Sequence, residues 1–258
     1  MDFRLNFLGV TVCNFETSFK FYTEMLGMAA RDTKPNWALF QTTGMTFELF
    51  GGGIHRGGES QTIIPSLHMV GAENFMETLS QKGVQFKGEI AFTQGVSSVE
   101  FIAPEGLRWR LIISHSSEWT TPFMAVPPPP EGIPRINAVS LMTGYDKFHQ
   151  LRSFYEDLMG LLFIEGEAHW LRLGQGVGEP ELFIFHDIES GKQRAPILTR
   201  QEAPHYLSFE TGNIASAAEW LRSRKPRIIR DVTRHEWGGI DFQLLDPDNN
   251  PVQVVQYT

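Results

Sequence analysis

Hydrophobic and polar positions change period along the chain four times, each time in the same order. Leu8, Val10 and Val12 alternate with Phe7, Gly9 and Thr11, the two-residue period of a strand with one face on a core. Phe15, Phe19, Tyr22, Met25 and Leu26 then recur at helical spacing, with Asn14 placed to cap the helix and Gly27 to stop it. Residues 37–42 and 46–50 return to strand period around a turn at Thr43-Gly44. The succession restarts at Leu67 and Met69, with a helix through Phe75, Met76 and Leu79 that Gly83 ends. A hairpin of residues 97–102 and 107–113 follows, around Ala103-Pro104-Glu105-Gly106. Further restarts come at about residues 135 and 204, where the helix runs from Ile214 to Arg224. The pattern predicts four β-α-β-β-β units.

Units one and three are copies. Phe21–Met28 and Phe154–Leu161 share a Phe-Tyr…Gly helix end 133 positions apart, and Trp37/Trp170 and Glu48/Glu181 keep that offset without a gap. Unit four repeats unit two, its turn Asp246-Pro247-Asp248-Asn249-Asn250 standing for Ala103-Pro104-Glu105-Gly106-Leu107. Two homologous halves are expected, residues 1–118 and 135–258, joined by a Pro-rich linker at 119–134 that holds the run Pro127–Pro130. The glycine-rich stretch 51–60 lacks a Gly-Lys-Ser/Thr ending and reads as a connection.

Composition narrows the function. With 41% hydrophobic and 20% charged residues the chain can bury a full core. Its net charge of −8 repels phosphate backbones and argues against a general nucleic-acid binder. Cys13 is the sole cysteine, which excludes a disulfide framework and thiolate-rich metal sites. Neither a signal peptide nor a membrane-length apolar run is evident, so a cytoplasmic protein is expected, monomer or homodimer. His235-Glu236 lacks the second His of a zinc-peptidase helix, Gly174–Gly178 is mis-spaced for a dinucleotide, and no Gly-x-Ser-x-Gly elbow occurs.

Strand parity sketches a cleft. Ala38, Phe40, Leu171 and Leu173 should face the helices, which turns Trp37, Leu39, Trp170 and Arg172 the other way, along with Glu48, Phe50, Glu181 and Phe183. Aromatic walls with a few charges describe a small-molecule pocket, or equally an interior filled by its own rings.

The four units, the repeated helix end and the Asp-Pro-Asp turn resemble the vicinal oxygen chelate superfamily of glyoxalase I, bleomycin resistance proteins and extradiol dioxygenases. The resemblance implies an α+β chain of two tandem glyoxalase-like domains, each of two β-α-β-β-β units paired around a cleft. Metal ligands, where that family has them, come from the first and last strands of each unit. Carried over, these positions are Phe7 and Glu48, residues 64–66 and Arg110, Ala138 and Glu181, and Tyr206 and Gln253. Phe and Ala cannot ligate, and Arg110 puts a cation where a carboxylate should stand. The resemblance thus implies a protein that binds a small, partly aromatic or anionic organic molecule with no tightly bound metal cofactor, Arg110 and Glu48 facing each other as its anchor. The alternative is a lyase or dioxygenase holding a divalent metal (Zn, Fe or Mn) on Glu181, His205 and Gln253, or on Glu48 and His68, with Glu210 as a further stand-in.

Overall fold

The computed structural model describes residues 2–54, 62–71, 74–93, 96–115, 129–130, 132–176, 178–186, 200–236 and 238–257. Unit one comprises β1 (Phe3–Val12), α1 (Phe15–Lys20), β2 (Ala30–Lys34), β3 (Trp37–Phe40), β4 (Thr43–Gly44) and β5 (Thr46–Gly51). Unit two comprises β6 (Ile63–Val70), α2 (Phe75–Gln81), β7 (Gln85–Thr93), β8 (Val96–Ile102) and β9 (Arg108–Ser114). Unit three adds β10 (Arg135–Thr143), α3 (Tyr145–Ser153), β11 (Leu162–Glu167), β12 (Trp170–Gly174) and β13 (Glu181–His186). Unit four ends the chain with β14 (His205–Thr211), α4 (Ile214–Ser223), β15 (Arg227–Arg234), β16 (Ile240–Leu245) and β17 (Pro251–Gln256). Much of the expected linker, and the connection after Ile54, lie outside the described residues.

Asn14 and Asn213 cap α1 and α4, each accepting a hydrogen bond from the backbone three residues on, at 3.0 Å. The repeated Phe-Tyr motif has its own geometry. Helices α1 and α3 widen into a π turn over Phe21–Met25 and Phe154–Leu158, and each then stops on a glycine with positive φ, Gly27 and Gly160. The wider turn buries both tyrosines. Tyr22 packs edge-on against Phe47 and Trp109, and Tyr155 donates a 2.9 Å hydrogen bond to the carboxylate of Asp246. That carboxylate also receives the backbone N–H groups of Asp248 and Asn250 and the Asn250 amide, so the turn before β17 is closed around it. Burial pushes the Asp246 carboxyl up to about 6, against the pull of these donors.

The strands form two sheets, and each takes one unit from each half of the chain. Units one and four make an eight-stranded sheet in the order β15-β16-β17-β14-β1-β5-β3-β2. Units three and two make a nine-stranded sheet, with the path β11-β12-β13-β10-β6-β9-β8-β7 and the short β4 pairing with β10 beside it. First strands carry the seams: β1 pairs antiparallel with β14, and β10 with β6. Thr43-Gly44, read from sequence as a turn, also ties unit one to the second sheet. Units one and two therefore do not enclose a shared cleft. Glu48 on β5 and Arg110 on β9 lie in different sheets, which removes the expected facing pair. One hydrophobic cluster runs through both sheets, from Leu8 and Phe47 through Trp109 and Leu141 to Phe209.

Candidate functional site

A cavity of about 1260 Å³ opens on the eight-stranded sheet, and units one and four line it. Parity places the side chains. Ala38, Phe40, Phe47 and Leu49 are buried in the core, so their neighbours Trp37, Leu39, Glu48 and Phe50 project into the cavity. On the other half, Phe242 and Leu244 are core while Asp241 and Gln243 line the cavity; Val252 and Val254 are core while Gln253 and Val255 line it.

Register identifies the equivalent positions in the four units. The first strand meets the last at Gly9–Glu48, Ser66–Arg110, Ala138–Glu181 and Ser208–Gln253. Two of the expected positions therefore shift by two residues: Gly9 replaces Phe7, and Ser208 replaces Tyr206. A two-residue slip keeps the face and changes the rung, and in β1 the register shifts at a bulge between Leu5 and Phe7.

Gly9 has a specific reason to be glycine. It sits opposite Tyr206 in the ladder, and a Cβ there would lie 1.8 Å from the Tyr206 ring. The phenol thus fills the space of the missing side chain, and its hydroxyl reaches Glu48 Oε2 at 3.4 Å. Gly9→Ala is expected to displace the ring and lower stability by about 1–3 kcal/mol, the usual cost of overpacking. Urea denaturation checks it; an unchanged midpoint would show that Tyr206 does not need that space.

Aromatic rings cover the middle of the cavity. Phe7 meets Tyr257 with centroids 5.3 Å apart, Phe50 meets Tyr206 at 6.1 Å, and Trp37 lies toward the edge under Lys34. Burial, then the nearby charges of Glu48 and Glu210, hold the Tyr257 phenol well above its ordinary pKa. At the β15–β17 side stands a fully buried carboxylate. Asp241 is ion-paired with Arg230, lies 3.0 Å from His235 Nε2, and accepts from Gln243 at 3.2 Å and Gln253 at 2.5 Å. Sequence reasoning missed this cluster, although the alternation of Asp241 and Gln243 with Phe242 and Leu244 signals it.

The matching positions of the nine-stranded sheet are differently used. Arg172 holds Glu181 through two hydrogen bonds of 2.9 and 2.5 Å, and Glu165 through a third of 2.8 Å. Phe183 and Ile112 pack on Ala138, and Trp170 on β12 is half-buried. Arg110 reaches Glu100 at 4.0 Å. His68 is buried on this sheet, 2.8 Å from Ser114 Oγ.

A chelated metal does not fit these residues. The cavity's four register positions carry Gly9, Glu48, Ser208 and Gln253, of which only Glu48 and Gln253 have the usual ligating groups, and Gln253 is tied to Asp241. The alternative sets do not converge either. Glu181 is in the other sheet, His205 packs against Trp109 on the core side, and Glu48 and His68 are in different sheets. Among the described residues, no three His, Cys, Asp or Glu side chains come together to hold a metal ion.

Residues 135–254 match the family model of the Glyoxalase/Bleomycin resistance protein/Dioxygenase superfamily. The fold is similar to crystal structures that span nearly the whole chain. Glyoxalase I from Zea mays is 16% identical, with 99% of this chain and 92% of that chain covered at a TM-score of 0.68. A putative dioxygenase from Bacillus subtilis subsp. subtilis str. 168 is 14% identical, with 98% and 84% covered at 0.64. No curated protein matches the chain in sequence.

Proposed function

Since residues 135–254 match the family model of the glyoxalase/bleomycin resistance protein/dioxygenase superfamily and the whole chain is similar in fold to glyoxalase I, we propose that the protein binds a small, partly aromatic organic molecule in the cavity of its eight-stranded sheet, without a tightly held metal. The observation that carries this is the lining itself: the rings of Phe7, Trp37, Phe50 and Tyr257 beside polar side chains, around four register positions of which two, Gly9 and Ser208, lack the usual ligating groups. An anionic ligand anchored by Arg110 finds no support, because Arg110 stands in the other sheet. Sequestration of such a molecule in the cytoplasm, by a monomer or homodimer, is the matching role. Among the described residues no helix is long and apolar enough to cross a membrane.

Trp37 supplies the test. A fragment screen read by tryptophan fluorescence is expected to find ring-bearing ligands whose affinity drops at least about tenfold in Trp37→Ala and Phe50→Ala, in line with lost aromatic contacts. Elemental analysis of protein purified without chelator should find less than stoichiometric Zn, Fe or Mn. One equivalent of metal, removable by chelator together with ligand binding, would favour the lyase or dioxygenase reading instead.

A further inference from the structure

Aromatic walls do not explain the acceptor-rich floor of the cavity. Ser208 is 1% exposed, and its Cα partners Phe7 and Gln253 both line the cavity, so its side chain points to the same face. Its hydroxyl has no hydrogen-bond partner among the described residues. A hydroxyl buried on a binding face in this way awaits a polar group from outside.

The neighbouring groups say which kind. Gln243 and Gln253 each spend an amide N–H on Asp241, which fixes the nitrogen toward that carboxylate and leaves the carbonyl oxygen to accept from a ligand. Glu210 is two residues along β14 from Ser208, about 7 Å away on the same face, and it also lines the cavity. Glu48 stands across β1. The sign of the local field shows at Tyr257, where both carboxylates oppose loss of the phenolic proton. Among the described residues, the lining's arginines and lysine are already placed: Arg230, beside Gln253, has its charge met by the Asp241 carboxylate they share, and Arg31 and Lys34 are on the exposed strand β2. Oxygen acceptors beneath π faces favour a ligand that brings N–H donors and positive charge.

Resting on the small-molecule reading above, we propose that the ligand is an aryl-alkyl amine, its primary ammonium group donating to Ser208, Gln253 and Glu210 while its ring lies against Phe7, Tyr257 and Phe50. The ammonium supplies three donors, and the three acceptors named are of the matching kind.

Three probes of similar size separate charge from shape: benzylammonium, benzyl alcohol and benzoate, titrated at pH 7 by ligand-observed NMR. Benzylammonium is expected to bind at least about tenfold more tightly than benzyl alcohol, with benzoate weakest and added salt eroding the difference. Glu210→Gln should remove most of the advantage. Ser208→Ala, a smaller change, should reduce it if the first variant does not fold. Equal or tighter binding of the alcohol or of benzoate, still lost in Trp37→Ala, overturns the amine assignment and leaves the cavity reading standing. Binding of none of the three, or binding indifferent to Trp37→Ala, overturns both.

Discussion

Glu181→Ala is expected to destabilise the protein by about 3–5 kcal/mol, the cost of leaving one partner of a buried ion pair alone. Glu181 is 3% exposed and Arg172 12%, and the carboxylate takes two of the guanidinium's hydrogen bonds. Truncation would leave Arg172 on the nine-stranded sheet with only the more exposed Glu165. The double variant Glu181→Leu/Arg172→Met should recover most of the loss, because replacing both charges by apolar groups removes the desolvation along with the attraction. Arg110→Ala, whose partner Glu100 is 4.0 Å away and partly solvated, should cost less than about 1 kcal/mol. Urea denaturation of the four proteins is decisive. A loss under about 1 kcal/mol in Glu181→Ala would mean that the pair does not organise this face.

Acid should weaken the fold through His68. Burial, helped by the charge of Arg135, takes its imidazole down to about 4 from 6.5. The geometry agrees: Nε2 faces Ser114 Oγ, while Nδ1 is buried with no hydrogen-bond partner among the described residues, so a second proton would find no acceptor among them. Because the folded value lies below the unfolded one, the stabilisation is complete above pH 6.5 and is lost as pH falls from 6.5 toward 4. The unfolded chain takes up the proton over that window and the folded one does not. The loss should reach about 3 kcal/mol, at about 1.4 kcal/mol per pH unit. His68→Gln should flatten the pH dependence between those limits by that amount. Identical curves for parent and variant would exclude this account.

The repeat was legible because it is local. A helix end that buries Phe21 and Tyr22 needs the same residues in the same order wherever it recurs, and Phe154 and Tyr155 supply them. The face on which Trp37, Glu48 and Phe50 project was legible for a similar reason, since alternation along a strand fixes sidedness. Which unit lies beside which was not legible. The seam of β1 with β14 depends on strand edges that carry no distinguishing periodicity, and pairing with β6 would satisfy the same pattern. The sequence pattern alone therefore sets Arg110 opposite Glu48, whereas the strand order separates them. The rung was lost in the same way, although Gly9 in mid-strand was a readable sign that something approaches the backbone there. The Asp241 cluster was not legible because its partners come from two separate stretches, Arg230 and His235 at the end of β15 and Gln253 on β17, brought to it only by the order β15-β16-β17.

The seams also set the order in which the chain can fold. Phe3 pairs with Thr211 and Ile63 with Leu141, so β1 and β6 leave the ribosome long before β14 and β10 exist to cover them. Contacts so distant in sequence form slowly, since a long loop must close before any pairing rewards it. Until then the nascent N-terminal half presents two open strand edges, the form of surface that joins to a second copy. Expressed alone, that half is therefore expected to self-associate through β1 and β6, with the C-terminal half, added in trans, competing for the same edges.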